Sequence, residues 1–245
     1  MENKTGMYFK YAIGEIILVV IGILIALQIN SWNQDRLNKK IEQEYLIGIA
    51  ANLSSDIREL EGHIKKDSLR LNAYTYLIRA FNTDTISAAD PLIIASIYSI
   101  IKPNWFEGQN VVFDDLKSSG RLNLISSDSI KHKVQTYYRF FEETVKRENF
   151  TNANISKGWD KLFKYFSISS FVEPTFKEQW NGNIGPPNLA FMDKLDFKLN
   201  KAKIIDNLSF MKANQFGAYE ARSLLYEKSL DLKKDIVAQI QSEDK

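Results

Sequence analysis

Between Tyr11 and Ile29 the only strongly polar side chains are Glu15 and Gln28, and twelve of the positions are Ile, Leu or Val. No other stretch constrains the fold as tightly. As a helix rising 1.5 Å per residue, this run makes a rod of about 28 Å, close to the thickness of a bilayer's hydrocarbon core, about 30 Å. Each branched aliphatic residue contributes about −0.3 to −0.6 kcal/mol to insertion, against about +3 kcal/mol for an acid at the helix centre. Insertion therefore wins despite Glu15. A cleaved signal peptide is the rival reading, but the run passes into Gln28, Asn30, Trp32 and Asn33 rather than into a small-x-small cleavage site. Tyr8, Phe9 and Tyr11 at one end and Trp32 at the other fall where aromatic rings favour the membrane interfaces. The expectation is a tail over residues 1–10, one transmembrane helix over 11–29, and a single domain over 33–245.

The balance of the chain supports a water-soluble domain. Thirty-two basic residues face thirty acidic ones with no basic block, so a nucleic-acid partner is disfavoured. The absence of cysteine excludes disulfide frameworks, iron–sulfur and thiolate zinc sites, and cysteine nucleophiles. Five prolines and eleven glycines in 245 residues suit helices with few turns.

Glu15, Val19, Gly22, Ala26 and Ile29 share one face of the apolar helix. Gly22 and Ala26 form a small-xxx-small step that lets a second helix approach. The expected partners are accordingly the lipid bilayer and either a membrane protein or a second copy of the chain. Glu15 has three readings: a side chain one turn inside the boundary reaching the headgroups, a pairing group for a neighbouring helix, or a proton or ion site.

The stretch GEIILVVIGILIALQINSWN, Gly14 to Asn33, resembles the N-terminal signature of a bacterial family of small membrane-anchored helical proteins catalogued as a domain of unknown function. A looser likeness to that family's middle segment lies at Phe113, Leu116, Ser119, Gly120, Leu122, Ile125, Tyr137 and Tyr138. The resemblance implies a single-pass anchor with a helical domain at the bacterial inner membrane, and it brings no activity. Lys4 and Lys10 precede the apolar helix and Arg36, Lys39 and Lys40 follow it. The charge count favours a cytoplasmic domain, whereas a short basic tail before an apolar run is the signal-anchor arrangement, which sends the domain across. We expect the second, a periplasmic domain.

Beyond the anchor, Leu46, Ala50, Leu53, Ile57, Leu60, Ile64, Asp67, Leu71, Tyr74, Ile78 and Phe81 recur at alternating steps of four and three. They predict one long helix over about 33–81, which can run on from the membrane helix. Its stripe is either a coiled-coil seam between two copies or the inward face of a bundle helix, and the helical sequence that follows favours the bundle. Asp90 and Pro91 open a short helix that stops before Pro103. Another short helix runs over 110–119, with Gly120 at its left-handed end. Ser127 caps a long helix extending to Phe166, and a last helix covers 203–241. Over 167–199 the pattern dissolves around Pro174, Gly182, Gly185, Pro186 and Pro187. The predicted fold class is all-α: a transmembrane helix, then an antiparallel helical bundle with an irregular insertion.

Nothing in the sequence specifies catalysis or a cofactor. His63 and His132 lack ligand partners at helical spacing, and Asp114 and Asp115 point to different sides of a helix. No phosphate-binding glycine loop, zincin motif or serine elbow is present. One polar pattern stands out. Asp67, Glu148, Asn152, Gln215 and Arg222 all occupy positions where their helices call for apolar residues. Either they meet as a buried layer, with Arg222 on Asp67 or Glu148, or slight rotations turn all five to water. The sequence thus favours a non-enzymatic interaction or scaffold module at the membrane. A ligand-binding sensor subunit and an ion- or proton-coupled subunit are the alternatives.

Overall fold

The computed structural model describes residues 4–83, 91–101, 104–162, 164–165 and 197–243. Five α-helices and one 3-10 turn account for most of them: α1 (Lys4–Asn82), α2 (Pro91–Ile101), α3 (Val111–Ser118), the 3-10 turn (Arg121–Leu124), α4 (Asp128–Leu162) and α5 (Phe197–Glu243). No strand occurs among the described residues, as the predicted fold class requires.

The predicted membrane and soluble helices are one object. α1 runs 79 residues without a break, because no proline or glycine pair interrupts it between Gly14 and Asn82. Residues 13–36 are exposed on every face, whereas burial sets in from about residue 41. The helix is long and apolar enough near its N-terminus to cross a membrane, with mean hydropathy of 2.3 over the apolar window.

α5 lies antiparallel to both α1 and α4. Its start touches the end of α1, where Lys201 Nζ donates to the Asn82 carbonyl at 2.9 Å, and near its end Gln239 reaches Glu42. Along α4 the partners run oppositely, from Lys133 with Asp235 to Asn207 with Gly158. α2 covers the distal half of α1, and α3 with the 3-10 turn covers the proximal half. Two apolar clusters result. The proximal one gathers Leu46, Leu53, Leu116, Val134, Tyr138 and Leu225, and the distal one Tyr74, Leu77, Phe81, Ile93, Ile204 and Met211.

Local chemistry sets the boundaries. Pro91 opens α2 as expected, while Asp90 lies outside the described residues. Gly120 has φ +70° and follows the α3 C-cap, the left-handed position the sequence assigned to it. Ser127 Oγ accepts from the Ile130 amide at 3.3 Å at the start of α4. Two expectations are corrected. α5 begins at Phe197, six residues before its predicted start, so 197–199 are helical rather than part of the irregular segment. α4 ends at Leu162, and the expected continuation to Phe166 gives way to a turn at Lys164 and Tyr165. The remainder of the predicted insertion lies outside the described residues.

Candidate functional site: a charged seam and the cavity beside it

The inward face of α1 follows alternating steps of four and three through Glu42, Leu46, Ile49, Leu53, Asp56, Leu60, His63, Asp67, Arg70, Tyr74, Leu77 and Phe81, all buried but the half-buried His63. Half of this seam matches the sequence reading. The other half replaces the expected Ala50, Ile57, Ile64, Leu71 and Ile78, which are only half-buried. The substituted series, Glu42, Ile49, Asp56, His63, Arg70 and Leu77, repeats every seven residues, and four of its six members are polar or charged.

Those polar groups fasten the non-helical chain to α1. Residues 104–110 carry no backbone ladder, although Asn104 and Phe106 are buried, so their amides need acceptors. Asp56 Oδ1 accepts from the Gln109 amide at 2.8 Å, Glu59 Oε1 from the Glu107 amide at 3.1 Å, and Glu148 Oε2 from the Phe106 amide at 2.9 Å. Glu42 does the same at the α4 entry, taking the Ser126 amide at 2.7 Å and its hydroxyl at 2.8 Å. Gly108 holds φ +58°, and a Cβ there would run into the Phe141 and Phe106 rings.

The centre of the seam is an ion cluster. Arg222, 2% exposed, donates from Nη1 to Asp67 Oδ2 and from Nε to Glu148 Oε1, both at 2.5 Å, and from Nη2 to the Asn104 carbonyl at 2.9 Å. Asp67 Oδ1 also accepts from Asn104 Nδ2 at 2.8 Å and Gln215 Nε2 at 2.9 Å. Charge-assisted bonds of this density are the condition under which buried ions are tolerated. Burial depresses the Arg222 guanidinium's pKa, but the Asp67 and Glu148 carboxylates outweigh it and hold it above the ordinary value. For Arg70, 7% exposed, burial prevails over the attraction of Asp67 and Tyr74, with Arg222 adding repulsion, and its pKa falls. Because the Asn104 amide is oriented by Asp67, its Oδ1 faces His63 Nδ1 at 2.5 Å, which places a proton on that nitrogen. About two turns before His63, burial pushes Asp56 up to about 6, against the lowering effect of the Tyr137 and Gln109 hydrogen bonds and with a small contribution from Glu59.

Of the five polar positions singled out in the sequence, Asp67, Glu148, Gln215 and Arg222 therefore meet. Asn152 does not join them. It sits one turn further along α4, with its Nδ2 buried and without a hydrogen-bond partner, and lines a cavity of about 540 Å³ that Arg70 and Gln215 share. Glu15, Gly22 and Ala26 lie on the exposed part of α1. A Cβ at Gly22 would meet nothing within 4 Å, so no contact among the described residues is made there. Sequence reasoning missed Glu42, Asp56, Arg70 and Asn104. The signal that could have found the first three is their seven-residue recurrence.

Among the described residues no three metal-ligating side chains converge. Asp67, Glu148 and Arg222 are buried and bound to one another. Comparison with protein-family models, curated proteins and solved structures finds no match.

Proposed function

We propose that this chain is a non-enzymatic, single-pass membrane module, in which α1 crosses the bilayer and carries a helical bundle that acts through protein contacts beside it. One observation carries the reading. The apolar run is exposed, with Leu18 at 74% and Ile16 at 62%, yet it belongs to the same helix that forms the seam of the bundle. A soluble chain does not leave an apolar surface of that extent to water. The exposed face with Gly22 and Ala26 is the surface we assign to a second membrane helix, with Glu15 as its polar pairing group. We further assign the bundle to the periplasmic side of a bacterial inner membrane, on the signal-anchor arrangement of Lys4 and Lys10 before the run.

Flotation with liposomes tests the anchor. The full chain should float and resist alkaline extraction, and Leu18→Arg with Leu24→Arg should release it with the bundle's helicity intact. Recovery of the unmodified chain as freely soluble protein would contradict the proposal. Protease added outside spheroplasts should digest the bundle, and its full protection would reverse the orientation.

A further inference from the structure

Among the described residues the cavity of about 540 Å³ falls within the size range of small-molecule sites, about 300–1,000 Å³. It opens beside the ion cluster rather than into it. Its walls include Ile155, Trp159 and Trp105, the last 52% exposed at the rim. At its polar end are Arg70, Gln215 and Asn152. Two of these residues bring N–H groups to the lining. Asn152 Nδ2 is a buried N–H group with no partner, a condition that disfavours an empty site. Arg70 presents a five-donor fork that can add a carboxylate to the contacts it already has. The Gln215 amide nitrogen is committed to Asp67.

The charges select among ligand classes. Arg70 and Arg222 offset Asp67 and Glu148, so the floor beneath the cavity is neutral overall and does not repel an anion. Asp160 is the one acid that lines it, and it is exposed at the mouth, where water screens it. A cation would meet the Arg70 guanidinium. A purely apolar molecule would leave the Asn152 amide unsatisfied.

We infer that this cavity binds a small organic carboxylate with an apolar or aromatic body, its carboxylate on Arg70 and the Asn152 amide and its body between Trp105, Trp159 and Ile155. The inference does not depend on the membrane assignment. It gives the bundle a small-molecule input at the level of the seam residue Arg70, next to Asp67.

The test is calorimetric titration of the full chain in mild detergent with 4-phenylbutyrate, indole-3-acetate and octanoate, each beside its neutral amide. Matched titrations into empty micelles remove partitioning. At least one acid should bind saturably, with its amide about tenfold weaker for want of the charge-assisted pair. Ala153→Trp, at an exposed position of the lining, should abolish binding without shifting the unfolding midpoint. Arg70→Gln should reduce the acid to the level of its amide. Should Arg70→Gln fail to fold, the Ala153→Trp and amide comparisons decide alone. No saturable binding by any acid, equal binding of acid and amide, or full binding by Ala153→Trp would each overturn the inference.

Discussion

Asp56 shows what a single buried acid does to this molecule. Its pKa rises from 3.8 to about 6, so between those values the folded chain holds a proton that the unfolded chain has released. Stability is then greatest below about pH 4, falls as pH rises through the window, and levels off above about 6. The span is about 3 kcal/mol at most. Asn at this position keeps the acceptor for Gln109 and, by donating to Tyr137, lets that hydroxyl turn to Ser229, which already bonds the Leu225 carbonyl. Asp56→Asn should therefore be more stable than the parent at pH 7 and equal to it near pH 4. Urea unfolding across that range checks this, and an unchanged pH slope in the variant would remove Asp56 from the account. Arg222 makes the opposite case. Arg222→Met strands two buried carboxylates, for an expected loss of about 3–5 kcal/mol, and adding Asp67→Asn and Glu148→Gln should recover part of it. Additive losses across the three substitutions would show that the ions do not act as one cluster.

At the scale of elements, α1 shows how much of the fold was legible and where legibility stopped. Its helical period, the entry to α2 at Pro91 and the turn at Gly120 follow from local chemistry, and the structure has each of them. The seam was half read. Following a mostly apolar stripe selected Ala50, Ile57 and Leu71 over Asp56, His63 and Arg70, because hydrophobicity cannot register a charged or polar side chain that turns inward. The Gln109 amide that donates to Asp56 and the Asn104 side chain that faces His63 belong to the segment 104–110, whose approach to α1 is a tertiary event. The polar layer was legible in part for the same reason. Asp67, Gln215 and Arg222 break otherwise apolar stripes, but Asn104 sits outside any helix and gives no periodic signal. The rotated seam makes a direct prediction. Leu77, fully buried, should lose about 3 kcal/mol on conversion to alanine, whereas Leu71→Ala, half-buried, should lose clearly less. Thermal unfolding of the two variants separates the seams, and the reverse ranking would restore the one read from the sequence.

For the whole molecule, the bundle and the apolar run are joined in one continuous helix. Asp56 and Glu59, which hold the non-helical chain, the cation at the cavity and the apolar run all belong to α1, so a displacement of that helix is a displacement of the seam. The absence of cysteine allows this continuity to be measured without removing native thiols. Spin labels at Ile25 and Ile47, both exposed, should lie about 33 Å apart along an unbroken helix. Double electron–electron resonance on the chain reconstituted in liposomes should give a single narrow distribution near that distance. A broad distribution, or one centred well below it, would mean that α1 bends or breaks between lipid and bundle, and the coupling of anchor to seam would be contradicted.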